Sequence, residues 1–225
     1  MQKKNLRQRE GAHLTDFYEE SRKYFNDRYG NYTWQTYPNP DYENTQSEEL
    51  GELIARIDVD IHKLETAEKS YQISRNGFFI TVAALAISIY NNYPDILLAW
   101  NYNAREDTRM MTTVGLLFRE LPVAFRFEDS MTLREIFVMA KDQVEKGIKY
   151  NIYPYVDLMT HGTQMDAAYL LYQQDMRDMT GFDDEIEPET VDVRQNQAAT
   201  QTVLDMEILD GAEGLEILID YAASR

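Results

Sequence analysis

Two stretches of the chain carry the clearest hydrophobic patterns. In residues 52–61, every second position is apolar, from Leu53 to Ile61. This period of two predicts a half-buried strand. Residues 77–90, GFFITVAALAISIY, are apolar almost throughout. They predict a buried core helix rather than a membrane span, which needs about 20 residues.

The remaining patterns predict helices that alternate with strands. Thr132 and Glu135 have the spacing of a capping box and start a helix over 132–150, whose apolar stripe includes Leu133, Ile136 and Ile148. Helices are also predicted at 14–29 and 63–71, and strands at 95–100, 121–127 and 167–174, with a turn at Asn76-Gly77 and a terminal hairpin over 200–222. The expected class is α/β, a mixed β-sheet packed with α-helices.

The chain divides into three parts by composition. Residues 1–13 are largely polar, and we expect them to be frayed or foreign to the natural protein. Residues 14–225 form the predicted domain. Within it, residues 31–51 are a Tyr- and Pro-rich connector, because Pro38-Asn39-Pro40 disfavours a helix.

Charge and composition then narrow the possible partners and compartment. The net charge is -17, which opposes binding to nucleic acids and to anionic membranes. No cysteine is present, so disulfides and thiolate chemistry are excluded. With no recognisable leader at the N-terminus, we expect a cytoplasmic protein without nucleic-acid or membrane partners.

The residues alone indicate no catalytic set. His13, His62 and His161 are the three histidines, and their sequence settings favour ordinary surface or loop positions. Metal-binding spacings, phosphate loops and a Gly-x-Ser-x-Gly elbow are all absent from the sequence. We therefore expect no metal and no catalytic residue in this chain.

A series of segments in the right order resembles the condensation domains of nonribosomal peptide synthetases. VGLLFRELP, starting at residue 114, is similar to their Val-Gly-x-Phe-Val-Asn-Thr-Leu-Pro segment. DILLAWNYNAR resembles a strand that ends in Gly-Arg, and NIYPYVDL a degenerate Asn/His-Gln-Asp-x-Pro-Phe-Glu motif. AAYLLYQQ and the final hairpin occupy the places of the family's later strands.

The resemblance implies one lobe of a two-lobed domain. Members of the family have two chloramphenicol-acetyltransferase-like lobes, and the catalytic His-His-x-x-x-Asp-Gly motif lies in the first. That motif is absent from this chain. The resemblance thus implies a C-terminal lobe, inactive alone, whose parent joins carrier-tethered aminoacyl or peptidyl groups into an amide. The phosphopantetheine arm would carry the substrates, no cofactor would bind directly, and the partners would be the N-terminal lobe and the carrier and adenylation domains.

The same resemblance suggests candidate site residues. Arg105 takes the place of the Gly-Arg arginine, and it is expected either to pair with the first-lobe aspartate or to lie free at a strand end. Arg119 and Glu120 replace Asn-Thr, and they either face the tunnel or lobe seam or form a surface ion pair. The last candidates for the lobe interface or substrate tunnel belong to the degenerate motif. Asn151 and Pro154 are expected to shape the loop rather than touch substrate, and Tyr153 could do either.

Two further interpretations stay open. The chain could be a non-catalytic docking or scaffold protein of the same fold, or part of an epimerisation or cyclisation domain. Under the lobe interpretation, an apolar seam would be exposed where the partner lobe sits, and such patches promote self-association.

Overall fold

A computed structural model of the chain describes most of the predicted elements. It covers residues 2–29, 34, 36–39, 50–105, 108–115, 117–154, 168–174, 204–211 and 214–222. Most of the predicted connector, and His161, lie outside the described residues. The connector is seen only around Trp34 and Tyr37, which pack against the core.

The described elements form one mixed six-stranded sheet with helices, so the predicted α/β class is confirmed. The strand order is β1-β6-β5-β4-β2-β3. The pairs β2–β4 and β4–β5 are parallel, and the other pairs are antiparallel. In chain order the elements are α1 (Gln2–Tyr29), β1 (Leu50–Ile57), α2 (Ile61–Tyr71), α3 (Arg75–Asn91), β2 (Asp95–Tyr102), α4 (Thr108–Met111), β3 (Arg119–Arg126), α5 (Leu133–Lys149), β4 (Ala168–Gln174), β5 (Leu204–Gly211) and β6 (Gly214–Ala222).

The core is densest around the β2–β3 pair. Both strands are buried on both faces through their middle residues, which explains why their sequences read as continuous apolar runs. Helix α5 packs on one of these faces at Gly147, where an added Cβ would lie 3.8 Å from Leu121 Cδ1. The predicted capping box of α5 is present, with Thr132 and Glu135 exchanging hydrogen bonds.

Strand β3 is the last strand at one edge of the sheet, and side chains form hydrogen bonds with the middle of its outer edge. The Ala124 N–H donates to Gln143 Oε1 at 2.9 Å, and Gln143 Nε2 donates back to the Ala124 carbonyl oxygen. The Tyr29 hydroxyl donates to the carbonyl oxygen of Pro122, which has no N–H of its own, at 3.1 Å. Helices α1 and α5 thereby satisfy backbone groups that an edge strand otherwise exposes.

Strand β1 is at the opposite edge of the sheet. Among the described strands it pairs only with β6, and it runs over residues 50–57 instead of the predicted 52–61. Leu53 and Ile54 are both more than half exposed. The alternation in β1 therefore marks a strand, but not one whose apolar side chains are confined to a buried face.

Two predicted helix starts are wrong. Helix α1 begins at Gln2 instead of Leu14, so residues 2–13 are helical rather than frayed. Gln, Lys, Arg and Leu are good helix formers, which favours the extension. Asn76-Gly77 is not a turn either, because Ser74 caps α3 by accepting from the Gly77 N–H and draws both residues into its first turn.

Helix α3 is buried along one face only. Phe79, Ile80, Ala84 and Ile87 are in the core, whereas Val82, Ile89 and Tyr90 are exposed. The predicted core helix is therefore present, and it also carries an exposed outer stripe. Among the described helices, none is by itself long and apolar enough to cross a membrane, and α2 with α3 reach that length only as a pair bent by 94°.

Candidate functional site

The candidate residues gather at one end of the β2–β3 pair. Tyr102 lies opposite Arg119 and Asn101 opposite Glu120, so the end of β2 and the start of β3 form this end, which the segment 103–118 connects. Arg119 and Glu120 are the first two residues of β3, not a corner before it. Because neighbouring strand residues point to opposite faces, the charged pair is divided between the two faces of the sheet.

Arg105 organises the connecting segment. Its Nη1 donates to the carbonyl oxygens of Met110 at 2.6 Å and Thr113 at 2.9 Å, and its Nη2 donates to the carbonyl oxygen of Gly115 at 3.1 Å. The Arg105 backbone N–H donates to Asn103 Oδ1 at 3.1 Å. The guanidinium therefore links three carbonyl groups of its own segment, a role that the sequence did not predict.

The backbone on either side of this network takes conformations that favour glycine. Ala104 has φ 51°, a left-handed conformation that costs a residue with a Cβ about 1 kcal/mol. The Gly-Arg pattern of the resemblance places glycine at this position, and the structure gives the physical reason. Gly115 has φ 151°, and its carbonyl oxygen is one of those that Arg105 binds.

A cleft of about 390 Å³ lies beside this end of the sheet. Arg119 from β3 and Asn151 from the end of α5 both line it, so the structure brings together two of the predicted site residues. Most of the other lining side chains are apolar, and sequence reasoning missed them because their positions read as ordinary core or loop: Phe17, Ala104, Met110, Leu117, Ile148 and Ile152.

Lys149 adds a second cation to the cleft. Its Nζ donates to the Tyr150 hydroxyl at 2.9 Å and lies 3.9 Å from Glu20 Oε1. The hydrogen bond to Tyr150 raises the pKa of Lys149, so the ammonium stays charged at neutral pH. With Arg119 it gives the cleft a locally basic lining in a strongly acidic chain, which suits an anionic group on an otherwise apolar ligand.

The degenerate motif after α5 places its residues in three different settings. Asn151 Nδ2 donates to the Ile148 carbonyl oxygen at 2.6 Å and so caps the end of the helix. Tyr153 is buried, with its ring 6.1 Å from that of Phe25 and 5.6 Å from that of Tyr18. Pro154 is exposed. Of the three, only Asn151 lines the cleft.

An exposed apolar patch lies on the connecting segment itself. Its members, called the seam patch below, are Met110, Met111, Val114 and Phe118, and Val114 is fully exposed. Within this segment the Arg105 guanidinium holds the backbone at Met110, Thr113 and Gly115. Apolar side chains presented on a tied loop are typical of a surface that another protein segment covers.

Neither a metal centre nor a histidine base is apparent in the described part of the chain. The described residues contain no group of three or more His, Asp or Glu side chains that could hold a metal ion. His62 is the histidine whose side chain the structure describes, and it is exposed at the start of α2.

Solved structures with the same architecture identify the fold. The condensation domain from Monacolin K polyketide synthase MokA matches with a TM-score of 0.71 and 14% identity over 97% of this chain. The fold is condensation-domain-like. The X-domain from teicoplanin biosynthesis matches with a TM-score of 0.73 and 15% identity over 97% of this chain. The PapA2 acyl transferase matches with a TM-score of 0.65 and 12% identity over 94% of it.

The condensation-domain-like chain spans about half the length of these structures. It covers 55% of the MokA condensation domain, 52% of the X-domain and 50% of PapA2. No family model and no curated protein matches the sequence. The resemblance drawn from degenerate motifs is thus confirmed at the level of the fold.

Proposed function

We propose that this chain is the C-terminal lobe of a condensation domain, which in the intact protein forms an amide bond between carrier-tethered aminoacyl or peptidyl substrates. The observation that carries the proposal is the half-length match to condensation domains, combined with the seam patch at the end of the β2–β3 pair. A lobe whose partner packs at that end needs an apolar surface there.

The cleft beside the seam patch suits a tethered substrate. A phosphopantetheine arm carries a phosphate and a long, mostly neutral chain. Arg119 and Lys149 supply positive charges for the phosphate, and the apolar walls contact the neutral chain. In this proposal the arm is a carrier of substrate, and the lobe binds no cofactor of its own. The lobe contributes positioning, which alone supplies several kcal/mol of the barrier to amide formation.

The partners follow from the same chemistry. The N-terminal lobe would bring the histidine motif that this chain lacks, and peptidyl carrier and adenylation domains would load the substrates. A four-domain nonribosomal peptide synthetase is among the structures that share the fold, at 14% identity. Arg105 remains a candidate partner for the first-lobe aspartate, with the terminal guanidinium nitrogens also holding the connecting segment.

The test is an assay of the natural polypeptide that contains this chain. Two carrier proteins loaded with aminoacyl groups are mixed with it, and the carrier-bound amide is measured by mass spectrometry. We expect product from the polypeptide with both lobes and none from the 225 residues alone. An intact polypeptide that leaves both loaded carriers unchanged would contradict the proposal.

A docking or scaffold role is the second candidate. The observation that favours it is the altered motif: Arg119-Glu120 stands in place of Asn-Thr, and Tyr153, in place of an aspartate, is buried in the core. In the same assay a scaffold would bind loaded carriers without consuming them. An epimerisation or cyclisation domain would instead change the stereochemistry or ring state of the bound product, which the same mass and chiral analysis distinguishes.

A further inference from the structure

Tyr150, the residue that directly follows α5, connects helix α1 to the cleft of about 390 Å³, called the seam cleft below. Its hydroxyl donates to Glu20 Oε1 at 2.8 Å and accepts from Lys149 Nζ at 2.9 Å. A hydroxyl has one hydrogen to donate and two lone pairs that accept, so the bond to Glu20 leaves the lone pairs to Lys149. The three groups therefore form a directed chain from α1 to Lys149, which lines the cleft.

The position of the Tyr150 hydroxyl is set by α1. The Tyr150 ring stacks on that of Tyr24 with centroids 4.8 Å apart, and its centroid lies 6.0 Å from that of Phe17. Phe17, Glu20 and Tyr24 are three and four residues apart in sequence, so they share one face of α1. Because the ring contacts and the hydrogen bond come from the same helix face, the hydroxyl is held against α1.

Tyr150 also confines the ammonium group of Lys149. The Lys149 Nζ lies 4.5 Å from the centroid of the Tyr150 ring and 3.9 Å from Glu20 Oε1. A lysine side chain is flexible, and the ring and the hydroxyl together hold this one over Tyr150. An ammonium group has three donors, and the bond to Tyr150 uses one of them, so the same group can also donate to a ligand.

From these contacts we propose that Tyr150 is a positioning residue, whose hydroxyl holds the Lys149 ammonium where it binds the phosphate of the tethered substrate. The inference rests on the proposed function, which supplies the phosphopantetheine arm as the ligand. Lys149 contacts the phosphate itself, and Tyr150 acts through Lys149. Arg119, which is exposed and lines the same cleft, adds a second positive charge.

The arrangement makes the phosphate the part of the ligand that Tyr150 affects. Hydrogen bonds from an ammonium group to a phosphate are charge-assisted, and they need the phosphate. The apolar walls of the cleft, among them Phe17 and Ile148, contact the neutral chain of the arm with or without it. Loss of the hydroxyl should therefore lower the preference for a phosphorylated ligand and leave the affinity for the neutral chain unaltered. A substitution that merely disturbed the fold would weaken both.

The experiment is an NMR titration of the full chain with 4′-phosphopantetheine and with pantetheine, the same molecule without the phosphate. The backbone amide of Ile152, which lines the cleft, reports binding, and the indole N–H of Trp100, which is buried in the core, reports the fold. We expect phosphopantetheine to bind at least about tenfold more tightly than pantetheine, while the Trp100 signal stays unchanged. The ratio of the two affinities is the phosphate preference.

Substitutions test how Tyr150 acts. Tyr150→Phe keeps the ring and removes the hydroxyl, so the phosphate preference should fall at least about threefold. Lys149→Met should lower it more, at least about fivefold. Tyr150→Phe added to Lys149→Met should cause no further loss, because Tyr150 acts through the ammonium. The matched control is Lys146→Met, one turn earlier on α5, whose ammonium bonds Asp142 at 2.8 Å, and it should leave the preference unchanged.

The outcomes separate this inference from the proposed function. A phosphate preference that Tyr150→Phe leaves unchanged would overturn the inference and leave the proposed function standing. A further loss from Tyr150→Phe in the Lys149→Met background would also overturn it, since Tyr150 would then act independently of Lys149. Equal affinity for the two compounds, or no binding of either, would show that the seam cleft does not hold the phosphate. The amide-forming assay of the intact polypeptide then judges the proposed function separately.

Discussion

The two ends of the β2–β3 pair differ in how the chain closes them. From the middle of β3 towards Arg126, called the distal end below, Gln143 and Tyr29 pair with the backbone of β3, and the side chains around Leu97 and Ala124 are buried. At the seam end, the backbone is held by one arginine, and the side chains beside it are exposed. This chain therefore covers the two strands at the distal end. At the seam end it leaves exposed side chains that another surface can cover.

The difference separates a stabilising role from a binding role. Buried hydrogen bonds at the distal end are costly to break, because the groups they satisfy have no access to water. The Arg105 bonds at the seam end are exposed, so their loss affects the local segment more than the fold. Substitutions at the two ends should therefore produce effects of different size and kind.

The largest effect is expected from Gln143→Leu at the distal end. The substitution leaves the N–H and C=O of Ala124 buried without partners, while the Tyr29 hydroxyl keeps its bond to the Pro122 carbonyl oxygen. We expect the free energy of unfolding to fall by about 3 kcal/mol, measured by chemical denaturation. The matched control is Glu145→Leu on the exposed face of α5, which should change it by less than about 0.5 kcal/mol.

A loss of less than about 1 kcal/mol in Gln143→Leu would contradict this account of the distal end. It would mean that the edge of β3 is stabilised by packing alone. The comparison between the two ends would then rest on side-chain burial rather than on backbone hydrogen bonds.

A smaller, local effect is expected from Arg105→Met at the seam end. The carbonyl oxygens of Met110, Thr113 and Gly115 lose their charged donor, but water can replace it. We expect faster amide hydrogen exchange across residues 108–118 and a change of about 1 kcal/mol or less in the free energy of unfolding.

The control for Arg105→Met is Arg134→Met, which removes an exposed arginine elsewhere. It should leave exchange in residues 108–118 unaltered. If Arg105→Met also leaves exchange there unaltered, the network does not hold the segment. In the intact two-lobe protein, loss of condensation with normal stability would support the pairing of Arg105 with the first-lobe aspartate.

The smallest effect is expected from Ala104→Gly, beside Arg105. Glycine adopts φ 51° without the clash of a Cβ, and part of this gain is offset by the greater entropy of the unfolded chain. We expect stability to rise by about 0.5 kcal/mol in thermal or chemical denaturation. Asn92→Gly, at φ 49°, should gain less, because asparagine tolerates this region. A loss of stability in Ala104→Gly would contradict the strain.

Much of the fold was predictable because its strands and helices have strong local patterns. The buried run 95–100, the capping box at Thr132 and the terminal hairpin all appear in the structure. The exposure of β1 and of the outer stripe of α3 was not predictable, because periodicity identifies an element but not what packs against it. The length of α1 was not predictable from periodicity, since residues 2–13 show no apolar stripe.

The candidate site was predictable only in part. Resemblance located Arg105, Arg119 and Asn151, and the last two line one cleft. The partners of Arg105 are carbonyl oxygens, which no side-chain pattern reveals. The cleft of about 450 Å³ lined by Tyr24, Trp34 and Arg126 combines residues that are far apart in sequence, so only the three-dimensional arrangement brings them together.

The most direct test of the central claim is the self-association of this chain, measured by light scattering as its concentration is raised to the millimolar range. If the seam end is a surface that a second lobe covers, the chain should associate. Val114→Asp, at a fully exposed position, should weaken association at least about tenfold without loss of stability. A clean monomer at millimolar concentration, or association that Val114→Asp leaves unchanged, would contradict the claim.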